Sequence, residues 1–199
     1  MSDWKESEKF LKKDKYIGPL IKKYGSCEIK KQIKSKYFEQ LVREIAGQQL
    51  SGKAASTIFG RVKDKLGGKV TSERILKLRK TQLRACGLSN AKASYIKDLA
   101  RHVKKGELEI DRLDDLTDEK VTEELVAVKG IGPWTADMFL MFTLARPDIF
   151  PTGDLGIQKG MKKLLKRSIS NEKIAKFASR WKPHRTVASW YIWKALDND

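Results

Sequence analysis

The sequence predicts an all-α fold, and three observations carry that expectation. Apolar residues recur at three- and four-residue spacing along most of the chain, the period of a helix with one buried face. Helix-opening Ser and Thr alternate with helix-stopping Gly at short intervals. No stretch shows the strict alternation of a strand. Taken in order, Phe38, Leu41, Val42 and Ile45 form a stripe that stops at Gly47. Ser51 is placed to cap a helix with Ala55, Ile58, Val62 and Leu66 inward, ended by Gly67 and Gly68. Thr71 and Thr81 each read as the cap of a short helix, the second ending at Gly87. Ser89 opens a longer helix with Ile96, Leu99, Ala100 and Val103 inward, and Thr117 caps one that carries Val121, Leu125 and Val128 into a glycine turn. The helix from Pro133 is apolar nearly all round except at Thr135 and Asp137, a pattern that belongs in the middle of a bundle. After Arg146 and Pro147 a loop punctuated by proline and glycine leads into a basic helix. Ser170 caps a helix through Ile174, Phe177 and Trp181, and Pro183 opens the last one, with Trp190, Trp193 and Leu196.

At 199 residues, 40% of them apolar, the chain is long enough for one or two domains with real cores. Lys and Arg outnumber Asp and Glu by 42 to 25, a formal net charge of +17, so a polyanion is the expected partner. The charge is unevenly placed. Residues 107–124 are acidic, with only Arg112 and Lys120 opposing them, whereas residues 159–185 are basic against the single acid Glu172. One face should avoid phosphate and another attract it. Cys27 and Cys86 lie far apart and beside no second ligand, which argues against a disulfide framework, a zinc knuckle or a four-cysteine iron–sulfur cluster. His102 and His184 are equally isolated and read as surface or helix-end residues. The longest apolar run, near residues 138–145, is too short to span a bilayer, and residues 1–15 lack the apolar core of a signal peptide. The expectation is a soluble intracellular protein of the cytoplasm and nucleoid, or of the nucleus in a eukaryote, without a membrane partner.

Two segments stand out chemically. In "VKGIGPWTADMF", residues 128–139, Gly130 and Gly132 can adopt positive φ, and Pro133 suits the first turn of a helix. Bare N–H groups in such a turn, beside a helix N-terminus, form a seat for an anion; an ordinary corner between two helices would use the same residues. In "FPTGDLGIQKG", residues 150–160, Asp154 stands immediately before a helix, where unsatisfied N–H groups favour an anion. A plain N-cap has the same signature. Asp137 and Asp148 are weaker candidates for a working carboxylate.

Together with "FEQLVREIAGQQLSGKAA", residues 38–55, these stretches occur in an order and spacing that resemble the helix-hairpin-helix, Gly/Pro-rich-loop, aspartate superfamily of DNA glycosylases. The closing "RWKPHRTVASWYIW", residues 180–193, is similar to its 3-methyladenine DNA glycosylase II branch. The likeness covers roughly residues 37–196, and no room is left for the additional N-terminal β-domain of some members.

The resemblance implies two helical subdomains with the substrate cleft between them. Residues 1–36 would be N-terminal helices packing with the C-terminal ones, residues 37–145 a helical domain with the hairpin at about 121–142, and residues 146–199 the aspartate loop and last helices. It also implies roles. Lys129, Gly130, Ile131 and Gly132 would hold a DNA phosphate, in some members with a sodium or potassium ion on the carbonyls of Val126, Val128 and Ile131. Asp154 would be the catalytic aspartate, and Trp134, Trp193 and Gln48 would line or support the base pocket. Gln49 would be the wedge that fills the gap when the target base leaves the stack. Relatives with strand-cleaving activity carry a Schiff-base lysine where this chain has Trp134, so a monofunctional hydrolysis is implied. The implied activity is flipping of alkylated purines from double-stranded DNA and hydrolysis of the N-glycosidic bond by a monomer, with no cofactor and no iron–sulfur cluster. The same fold acting on deaminated or otherwise modified bases, and a non-catalytic DNA-binding module, are the alternatives the residues leave open.

Overall fold

The computed structural model describes residues 4–198. Among them the helices are α1 (Lys5–Leu11), α2 (Ile17–Tyr24), α3 (Tyr37–Gly47), α4 (Gly52–Lys65), α5 (Ser72–Lys77), α6 (Lys80–Ala85), α7 (Asn90–Lys105), α8 (Asp118–Val126), α9 (Pro133–Phe142), α10 (Leu155–Leu165), α11 (Asn171–Ala178) and α12 (Arg185–Asp197). Short 3₁₀ turns cover Lys34–Lys36, Ile110–Asp115 and Ser179–Trp181, and no strand occurs among the described residues. The all-α expectation holds.

Local chemistry explains most helix starts. The side-chain oxygens of Ser51, Thr71, Ser89, Thr117 and Ser170 accept the N–H groups of Ala54, Arg74, Lys92, Lys120 and Lys173. Each oxygen satisfies one of the donors that a first helical turn leaves orphaned. Two starts differ from the sequence expectation. Helix α6 begins at Lys80 with Thr81 inside it, because Gln82 Oε1 reaches back to the N–H of Arg79 at 2.8 Å. Helix α12 begins at Arg185 and not at Pro183, since Asp148 Oδ1 accepts both the Arg185 N–H (3.4 Å) and its Nε–H (2.7 Å). That ion pair gives Asp148 a structural task. In α4 the buried positions are Phe59 and Val62, with Ile58 only half-buried.

The chain folds as two units. One comprises Met1–Lys31 and Leu140–Asp199. Its central helix is α12, against which α1, α2 and α10 pack around Leu11, Ile17, Ile157, Met161, Trp181 and Tyr191. The buried Glu8 carboxylate ties the segment after α2 to this core, accepting the Cys27 N–H at 2.7 Å and the Tyr191 hydroxyl at 3.3 Å. Burial pushes the Cys27 thiol up to about 12, so it stays a protonated thiol and no nucleophile.

The other unit is Gln32–Phe139, and the division falls inside α9. Its spine is α7, on which α3, α5 and α6 pack, while α4 packs on α3. Leu41, Ile45, Leu83, Ile96, Leu99, Val121 and Leu125 are fully buried here. Each such side chain contributes about 1.5–3 kcal/mol relative to exposure. The Tyr37 and Phe139 rings meet edge to face, centroids 5.7 Å apart. Among the described residues no helix is long and apolar enough to cross a membrane.

Candidate functional site

In the Gln32–Phe139 unit the glycine turn is built as its residues require. Helix α8 ends at Val126, Ile131 N–H closes the turn on Val128 O at 3.1 Å, and α9 starts at Pro133. Gly130 has φ +89°, which an L side chain rarely adopts, and a Cβ there would overlap the Tyr95 ring. Tyr95, on α7, therefore packs directly against the turn. Asp98, one turn further along α7, accepts the Lys129 N–H on Oδ2 at 3.2 Å. Burial opposes ionisation of Asp98, but Arg101, that backbone N–H and His102 together hold its carboxyl below the ordinary range. From α3, Gln48 Nε2 donates to Gly130 O at 2.9 Å and to Thr135 Oγ1 at 3.2 Å.

These bonds sort the four N–H groups of the turn. Those of Lys129 and Ile131 are used internally; among the described residues those of Gly130 and Gly132 meet no internal acceptor. Lys129 keeps an exposed ammonium side chain. A Cβ on Gly132 would meet nothing within 4 Å. The fold itself therefore tolerates a side chain there.

The segment after α3 is the other unusual backbone. Gln48 is the C-cap, and Gln49 takes φ +59°, a left-handed conformation that costs a non-glycine residue about 1–3 kcal/mol and persists only where the surroundings impose it. Leu50 N–H closes this turn on Gly47 O at 3.1 Å, and Lys92 Nζ braces it, donating to Ala46 O at 3.0 Å and to Gln48 O at 2.5 Å. Gln49 and Leu50 project as exposed residues.

On α9, the most apolar of the described helices, Trp134 is 37% exposed. Asp137 lies three residues on and is half-buried, and burial pushes its carboxyl up to about 6. Between the ordinary 3.8 and about 6 the folded state holds the extra proton, so stability rises as pH falls through that window. Above about 6 the ionised carboxyl is a standing penalty, moderated by solvent. Asp137→Asn should accordingly raise the melting temperature at pH 7.5 by about 2–4 °C, the shift that ~1 kcal/mol gives a chain of this size. Melts repeated near pH 4 should show no gain.

In the other unit Asp154 is the N-cap of α10, its Oδ1 accepting the Ile157 N–H at 2.8 Å. The same oxygen accepts the indole N–H of Trp193, from α12, at 2.9 Å. Gly156 makes room for this pair: a Cβ there would lie 2.9 Å from Asp154 Oδ1 and 3.0 Å from Trp193 Nε1. Gln158 Nε2 donates to Thr152 O at 2.9 Å, and Asp154 N–H to Pro151 O at 3.0 Å, which fixes the loop before the cap. The Trp193 ring packs on Phe142, centroids 5.7 Å apart. The carboxylate thus accepts from a backbone donor and a side-chain donor through the same oxygen.

The structure brings Asp154 together with Trp193, and Gln48 together with Gly130. Sequence reasoning missed Tyr95, Asp98, Lys92 and Gly156. Two of them carry a visible signal: Lys92 puts a charge in the apolar stripe of α7, one turn before Ile96, and Asp98 follows Tyr95 along the flank of that stripe.

The family model of HhH-GPD superfamily base excision DNA repair proteins matches residues 42–184. The chain is 35% identical over 181 residues to DNA-3-methyladenine glycosylase 1 of Schizosaccharomyces pombe, covering 88% of this chain and 79% of that protein. It is 34% identical over 207 residues to the DNA-3-methyladenine glycosylase of Saccharomyces cerevisiae, covering 96% and 70%. Among solved structures, the S. pombe 3-methyladenine DNA glycosylase in complex with abasic DNA superposes with a TM-score of 0.88 at 33% identity, covering 96% of this chain and 97% of that one. A DNA-3-methyladenine glycosidase from Bacillus halodurans gives 0.83 at 36% identity, covering 96% and 88%. The chain belongs to the HhH-GPD superfamily of base excision DNA repair proteins.

Proposed function

We propose that this chain is a monofunctional DNA glycosylase that releases alkylated purines of the 3-methyladenine type from duplex DNA and leaves an abasic site. The observation that carries the reading is the Asp154 carboxylate, fixed through one oxygen by Ile157 N–H and Trp193 Nε1. Breaking the N-glycosidic bond sends its electron pair to the departing base and leaves oxocarbenium charge on the sugar. A fixed anion beside that charge lowers the barrier because its surroundings need not reorganise. Water then adds to the sugar carbon and loses its proton to the carboxylate or to solvent. An alkylated purine is cationic and already a good leaving group, so no strong general acid is needed. The partly exposed indole of Trp134 would attract such a base, and Trp193 would position Asp154.

The Gly130 and Gly132 N–H groups and the Lys129 ammonium would hold one backbone phosphate, with Gln49 as the wedge. The carbonyls of Val126, Val128 and Ile131 would be the ligands of a sodium or potassium ion at the turn, Val128 O keeping a lone pair after accepting Ile131 N–H. Such an ion would add positive charge behind the phosphate. The chain is taken to act as a monomer.

With Trp134 at the position after the hairpin, hydrolysis should go without an imine. Borohydride should trap no covalent protein–DNA adduct, and strands should break at the abasic site only after alkali. A trapped adduct would assign the chemistry to a lysine and overturn the monofunctional reading. A panel of single-lesion duplexes separates alkylpurines from hypoxanthine and other deaminated bases, and a non-catalytic module would release none of them.

A further inference from the structure

We propose that the row Lys92–Tyr95–Asp98 on α7 is a strut that sets the wedge loop at a fixed distance from the hairpin turn, so that gripping the phosphate and unstacking the base become one motion. The inference rests on the wedge and phosphate roles given above. Its geometry lies wholly within the Gln32–Phe139 unit. Lys92 Nζ holds the carbonyls of Ala46 and Gln48 on one side of Gln49. Three residues on, the Tyr95 ring backs Gly130, and three further on Asp98 holds the Lys129 N–H. Gln48 closes the circuit by donating to Gly130 O. Spacings of three and three keep all three side chains on one side of a rigid helix. Without Lys92 the last carbonyls of α3 would lose their donor, and the left-handed backbone at Gln49 would have less to impose it. Lys92 acts through the loop and is a positioning residue.

Helix α7 also supplies an internal control. Lys97 donates to the carbonyls of Leu76 and Leu78 at the end of α5, the same chemistry from a different face of the helix. Among the described residues its hydrogen bonds reach neither the wedge loop nor the turn.

The test uses the full chain, a lesion duplex with 2-aminopurine beside the lesion to report unstacking, and single-turnover base release. Lys92→Met should reduce unstacking and release about tenfold, the scale of one charge-assisted hydrogen bond. Affinity for undamaged duplex should hold within about twofold, because phosphate contacts carry it. Lys92→Arg, which keeps a donor, should recover most of the loss. Lys97→Met should lower the melting temperature and leave unstacking unchanged. In a Gln49→Ala background, Lys92→Met should change nothing further. If Lys92→Met does not fold, Lys92→Gln replaces it. The strut is overturned if Lys92→Met is silent, if its effect is equally large without the Gln49 side chain, or if Lys97→Met does the same. Unstacking is read without base release, so a wild-type chain that unstacks the lesion but frees no base sinks the glycosylase reading and leaves the strut standing.

Discussion

Asp154→Asn should lose base release by about a hundredfold or more while keeping its affinity for lesion DNA, the magnitude expected when a preorganised electrostatic partner is removed. The substitution keeps the shape and leaves an amide oxygen to accept from Ile157 N–H and Trp193 Nε1, so the cap and the loop should survive. Only the negative charge goes. On the proposed reading, binding would depend on phosphate contacts at the hairpin and on the pocket aromatics, neither of which the amide alters. Single-turnover release beside a binding titration on the same duplex checks this. A mutant releasing base at near wild-type rate would reduce Asp154 to a helix cap. Trp193→Phe gives a companion result. It keeps the ring against Phe142 and removes the indole donor to Asp154 Oδ1, so release should fall by less than in Asp154→Asn.

The second large effect separates the two glycines of the hairpin. Gly130→Ala should weaken both folding and DNA binding, because φ +89° is strained for any L side chain and the added Cβ runs into Tyr95. A loss of about 2–4 kcal/mol in stability is the scale of overpacking and left-handed strain combined. Gly132→Val should leave the melt nearly unchanged, since a Cβ there meets no protein atom. In the proposed role of the turn its obstruction would fall on the phosphate, so duplex affinity should drop and its salt dependence should flatten. Thermal melts and DNA titrations at several salt concentrations distinguish the two; equal destabilisation by both would contradict the turn described here.

What the sequence made legible was what short-range chemistry decides. Ser51, Thr71, Ser89, Thr117 and Ser170 could be placed as caps because a short side-chain oxygen reaches only the next turn of its own chain. The glycine turn and the Asp154 cap were readable for the same reason. Thr81 failed as a cap since Gln82 offered a competing bond to Arg79, and Pro183 failed as a helix start because Asp148, 37 residues from Arg185, fixes where α12 begins. The Trp193–Asp154 bond spans 39 residues and the Lys92–Gln48 bond 44. No periodicity encodes either. Asp98 looks in sequence like the solvated flank of an amphipathic helix and Lys92 like a break in its apolar stripe, and only the fold shows that two backbone turns have taken the place of solvent.

The most direct measurement is release of free methylated base from a methylated duplex by excess purified chain, followed over a single turnover. The account predicts exponential appearance of free 3-methyladenine with the DNA strand left whole until alkali is added. DNA that binds tightly and in salt-dependent fashion, yet yields no free base at any enzyme excess, would contradict it.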